Sequence, residues 1–155
     1  MDASVERIEF ARAIEALYDV FEGYPLRPRI DSCPHCELEA AERRLHMRPL
    51  RDLSWADLGI YAFKALTSFG DRDDLRHFLP RILELYVVDH AGAPHTLFMF
   101  FHKLYFARWA TWPADETEAI RRFLEAWKRV LSGQARDSEQ AAWELDELTG
   151  AMSAL

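Results

Sequence analysis

The chain of 155 residues has only two cysteines and six glycines. The glycines are thinly scattered and build no G-x-G-x-x-G, no G-x-x-x-x-G-K and no G-x-S-x-G, so nucleotide binding or acyl transfer by those routes is not expected. No stretch alternates apolar and polar residues with period two, which leaves strands without a signal. The most apolar run, residues 97–101, is broken by His102 and Lys103, far short of the ~20 residues that span a bilayer. No membrane helix is expected. An excess of positive charge is missing too: the formal net charge of −7 opposes a phosphate backbone, and nucleic acid is not an expected partner. Arg27, Arg29, Arg43, Arg44, Arg48 and Arg51 make the early middle locally basic, but Asp31, Glu37, Glu39 and Glu42 interleave with them and imply a solvated mixed face. The first residues, with Glu6 and Glu9, show neither the basic nor the apolar region of a secretion signal, so the cytoplasm is the expected compartment. In reducing surroundings two thiols serve a metal or a redox step more often than a permanent disulfide.

What is present is helical periodicity. Half of the residues are hydrophobic, enough for one domain over 1–155 with a core that needs no staples. Apolar residues return every three or four positions almost throughout, which predicts a compact, irregular all-α bundle of about seven helices. A first helix reaches to about Gly23, and residues 24–28 form a proline-punctuated connector. Residues 37–45 have helix-forming composition, with Pro34 placed to suit a first turn and Pro49 beyond the end. Ser54 caps a helix over 54–69, and Asp71 caps the next over 71–88, which Pro80 is expected to kink or restart. Residues 97–109 are apolar on nearly every side and suit the centre of the bundle. Two further amphipathic helices, 114–131 and 137–148, flank Gly133.

The pair 54–69 and 71–88, joined by Gly70-Asp71 and carrying Leu79-Pro80, resembles one unit of a HEAT-type repeat. No fixed period recurs elsewhere, which disfavours a solenoid. The block Tyr61-Ala62-Phe63-Lys64-Ala65-Leu66-Thr67, with Gly70-Asp71 and His77-Phe78-Leu79-Pro80-Arg81-Ile82-Leu83-Glu84-Leu85, also resembles a group of uncharacterised bacterial proteins. Those share an upstream Cys-Pro-x-Cys and a Lys/Arg-Pro-Leu-Arg stretch, here Arg48-Pro49-Leu50-Arg51, so the similarity spans about residues 24–86. The resemblance implies a unit and no activity.

Chemistry is concentrated in Cys33-Pro34-His35-Cys36. A structural zinc ion takes four N or S ligands, of which a C-x-x-C knuckle supplies two. A helix over 37–46 would carry His46 about 15 Å from Cys36. His77, from another element, escapes that objection, although an exposed histidine on a polar helix face is the simpler account of it. Cys33, Cys36 and His77 are therefore the candidate zinc ligands, with the fourth place open to His35, His46, a carboxylate or water. A lone C-x-x-C is a weak signal, and a coincidental pair of cysteines is the third account.

The redox alternative makes Cys33 the nucleophile and Cys36 the resolving thiol. Cys-Pro-His-Cys is similar to the tetrapeptide of the DsbA branch of thioredoxin-like proteins, but the strand that such a fold needs is absent from the proline-broken segment before it. In all-helical AhpD-like proteins a histidine follows four residues after the second cysteine, where this chain has Ala40. Asp71, Asp73 and Asp74 read as capping and solvation, since calcium-loop spacing is absent. His90, His95 and His102 with Glu84 or Asp89 form a weaker candidate pocket. The aromatic series around residues 98–112 reads as core, or else as an apolar small-molecule cavity. The favoured expectation is a non-enzymatic binding or adaptor module that serves a protein partner, with zinc pinning residues 24–49 onto the helix of His77.

Overall fold

A computed structural model describes residues 2–155. The described residues form seven α-helices: α1 (Ala3–Phe21), α2 (Glu39–Leu45), α3 (Trp55–Lys64), α4 (Arg72–Val88), α5 (Leu97–Phe106), α6 (Ala114–Gln134) and α7 (Glu139–Met152). Two single 3-10 turns, Leu50–Asp52 and Trp109–Thr111, complete the regular structure. The expected all-α bundle is what forms. None of the described helices is long and apolar enough to cross a membrane.

The long helices α1 and α6 make the main packing seam. Phe10, Ala13, Leu17 and Phe21 recur at helical spacing on one face of α1, and Phe10 meets Phe123 of α6 with ring centroids 5.6 Å apart. Helix α4 lies on the other side of α1, and α7 bridges α6 and α5. Burial of side chains such as Leu17, Leu79, Ile82 and Phe123 removes apolar area from water at roughly 25 cal/mol per Å², the dominant favourable term. Asp71 caps α4 as expected: its side chain accepts from the amides of Asp73 and Asp74, and Asp74 accepts from the Asp71 amide in return.

Three expectations are corrected, and of the two alternatives at Pro80 the restart is excluded. Helix α3 stops at Lys64, five residues before the expected end, because Leu66 enters the left-handed region at φ 69 and the chain turns. Helix α4 runs through Pro80 without restarting. Helix α6 absorbs Gly133 and ends at Gln134. Helix α5 is not central: Leu97, Phe100, Phe101 and Leu104 face the core, whereas Phe98, Met99, Tyr105 and Phe106 face solvent.

Between α1 and α2 the chain forms a strap that crosses the ends of α3 and α4. Ile30 and Leu38 are its buried anchors. Arg27 reaches Asp71 at 2.8 Å and Asp73 at 3.2 Å, and the Ile30 amide donates to Glu42 at 2.6 Å. The Cys33 amide donates to the Ser68 carbonyl at 2.8 Å, and the Gly70 amide donates to the Asp31 carbonyl at 2.7 Å. Ser32 and Phe69 thereby make an isolated antiparallel bridge. This backbone pairing explains why residues 65–70 leave the helix: their polar groups serve the strap instead.

Candidate functional site

The turn Cys33-Pro34-His35-Cys36 closes with a hydrogen bond from the Cys36 amide to the Cys33 carbonyl at 3.2 Å. Such a turn keeps the first and fourth Cα atoms within about 7 Å, close to the span a disulfide bridges. Both cysteines are free and half-buried, and Cys36 packs against the core. His35 is exposed at the tip. Glu37 follows at φ 52, a left-handed conformation, so the helix starts only at Glu39 and Pro34 lies outside its first turn.

The two sulfurs are unequal. A hydrogen bond from the Cys36 thiol draws the Cys33 pKa below the ordinary thiol value, and the amides of His35 and Cys36 and the charge of Lys64 act in the same direction. Cys36, as donor in that bond, is raised, and burial and the negative charge on Cys33 add to the rise. The Ser68 hydroxyl and Lys64 oppose it. Of the two, Cys33 is the more readily ionised and Cys36 the one that holds its proton longer.

The candidate ligand set is not gathered. His77 is engaged elsewhere: its Nδ1 lies 2.8 Å from the carbonyl oxygen of Tyr24, near the start of the strap. Burial lowers its pKa, and the bond to the Tyr24 carbonyl, which the protonated ring also makes, acts in the opposite direction. His46 lies 3.8 Å from Glu42, and among the described residues no group of three or more His, Cys, Asp or Glu is placed to hold a metal ion. The strap is held by hydrogen bonds: the Tyr24 carbonyl accepts from His77 of α4 and Arg27 donates to Asp71 at its N-cap, while the Asp31 carbonyl and the Cys33 amide pair with Gly70 and Ser68 in the turn between α3 and α4.

His90, His95 and His102 do not converge either. His90 is buried between the Tyr86 carbonyl at 2.9 Å and Glu147 at 2.8 Å. His95 bonds the Gly59 carbonyl at 3.0 Å and stacks on Phe63, while His102 is exposed beside Phe98. Glu84 serves Tyr18 and Arg81 instead. Sequence reasoning missed Lys64 and Ser68 as neighbours of the thiols. The only available signal was the C-terminal position of Lys64 on its helix; the pairing of strap and turn has no mark in the sequence.

No family model, curated protein or solved structure matches this chain.

Proposed function

We propose that the protein carries out thiol–disulfide exchange through Cys33 and Cys36. The observation that carries this reading is the turn, closed by the Cys36 amide on the Cys33 carbonyl at 3.2 Å, that holds two free, half-exposed thiols at its ends. It prepares one attacking and one resolving group.

In the forward direction the Cys33 thiolate attacks one sulfur of a substrate disulfide. The substrate S–S bond breaks, the departing thiolate takes a proton from solvent, and a mixed disulfide joins Cys33 to the other half. Cys36, giving up its proton, then attacks the Cys33 sulfur and releases the second half as a thiolate. The substrate is reduced by two electrons and the Cys33–Cys36 pair is oxidised to a disulfide. A dithiol reductant of another protein returns the pair to its starting state. Polarisation of Cys33 favours attack near neutral pH, because only the thiolate is nucleophilic.

Zinc on the same two sulfurs is the competing reading, but among the described residues no third ligand joins them, and no step is derived through it. Rates of iodoacetamide alkylation, mapped residue by residue across pH, separate the two. Exchange predicts that Cys33 reacts faster than Cys36, with a midpoint below the ordinary ~8.5, and that Cys33→Ser abolishes reduction of a model disulfide. Equal, ordinary reactivity of the two thiols would defeat the proposal. So would stoichiometric zinc that shields both from alkylation until a chelator is added.

A further inference from the structure

We propose that the face shared by α3 and α5 binds an acidic peptide segment of another protein, whose bulky apolar side chains enter two clefts beside Lys64 and Lys103. This inference does not depend on the thiols.

The first observation is charge segregation. The chain carries 26 acidic residues, yet the stretch from His90 to Ala114 contains no Asp or Glu and does contain Lys103 and Arg108. Lys64, at the end of α3, and Lys103, on α5, are near enough for Lys64 to depress the Lys103 pKa, after the larger effect of burial. Among the described residues neither lysine joins an ion pair. Two ammonium groups that are partly desolvated and repel one another in an acidic protein form a surface complementary to carboxylate. The one acid among the lining residues of the two clefts, Asp71, is already engaged by Arg27 at 2.8 Å.

The second observation is the shape around the lysines. Ile60, Phe63, Pro94 and His95 line an apolar cleft of about 470 Å³ that Lys64 borders. Leu66, Phe106 and Ala107, with Asp71 and Arg72 at its polar side, line another, of about 360 Å³, that Lys103 borders. Met99, Lys103 and Phe106 follow at i, i+4 and i+7, so one stripe of α5 presents apolar, cationic and apolar groups in succession. Ile60, Phe63, Met99 and Phe106 are all exposed, with Phe106 at 69%. An exposed aromatic and aliphatic patch of this kind, interrupted by fixed charge, marks an interaction site.

The occupant follows from these features. Both clefts are open, and a small molecule that must bury most of its own surface finds no enclosure there. An anionic bilayer is drawn by clusters of four to eight basic residues, whereas this face offers only a few within a chain of net charge −7. A peptide lying across the helices satisfies both features: its apolar side chains fill the clefts and its carboxylate lies between the lysines.

The test is selection of a random peptide library, displayed on phage, against the full immobilised chain. The expected result is enrichment of sequences with Asp or Glu flanked by Phe, Leu or Trp. A fluorescein-labelled synthetic copy of the leading sequence should lose affinity by about tenfold or more with Lys64→Gln/Lys103→Gln, and similarly with Phe63→Ala, whereas Cys33→Ser leaves it unchanged. Circular dichroism melts of each variant confirm that the fold persists; if Phe63→Ala does not fold, the lysine pair decides alone. Selection of no peptide, or of peptides without acidic residues, overturns the proposal. Affinity unmoved by loss of the two lysines does so as well, as does sedimentation with phosphatidylglycerol vesicles that the selected peptide fails to compete away.

Discussion

His77 lies 2.8 Å through its Nδ1 from the carbonyl oxygen of Tyr24, which ties the middle of α4 to the first residue of the strap. The neutral ring donates that proton, and burial holds its pKa below the ordinary histidine value. The unfolded chain therefore binds the proton more readily than the native state between the lowered value and about 6.5. Stability from this site is complete above about pH 6.5 and is lost as the pH falls through that window. Burial lowers His95 as well, so it contributes with the same sign. Urea denaturation from pH 7.5 to 5 should show the fall, and His77→Gln should flatten it; an unchanged slope in the variant would refute the assignment.

Lys64 acts on both sulfurs. Lys64→Ala should slow alkylation of Cys33 near neutral pH by about twofold, the effect of one screened surface charge. The same variant in high salt should show a smaller difference from the wild type. Mass-mapped alkylation rates at two ionic strengths measure it.

Glu37 occupies the left-handed region at φ 52, where a side chain costs roughly 1–2 kcal/mol. Glycine removes that cost but gains freedom in the unfolded chain, so Glu37→Gly should stabilise the protein by up to about 1 kcal/mol. Glu37→Val should destabilise it. Chemical denaturation of the pair checks both signs.

Glu147 unites three elements: one oxygen meets His90 at 2.8 Å, and the other accepts the Leu97 amide at 2.9 Å at the start of α5. Glu147→Ala leaves a buried imidazole and an amide without their acceptor, and should cost about 2–4 kcal/mol in urea denaturation. Glu147→Gln, which can still serve the Leu97 amide, should cost less. Equal losses for the two variants would show that the carboxylate does not hold this junction.

The helices were legible because each buries one stripe, and apolar residues such as Phe10, Leu17 and Phe21 recur at the spacing that packing requires. Where a terminus carries its own signal the reading was also close, as at Asp71, whose side chain caps the amides that follow. Legibility failed where a partner's backbone decides the outcome. The end of α3 depends on the carbonyl of Ser68 and the amide of Gly70 finding Cys33 and Asp31, and backbone groups are the same in every residue. The bond of His77 was not legible for a related reason: its acceptor is the main chain of Tyr24, which leaves no mark in the letters. The aromatic character of α5 was visible, but which half would be covered depends on how α7 and α3 cross it.

The strap lacks regular helix from Gly23 to Leu38 and holds to the body by a short series of individual bonds and two buried side chains, Ile30 and Leu38. Segments of this kind detach at lower free energy than the bundle they cross, and amide hydrogen exchange reads that difference directly. A visiting protein disulfide would then meet sulfurs that swing out on a tether while the seven helices stay assembled. Access to the chemistry would be governed by the local opening rate rather than by the width of any cleft.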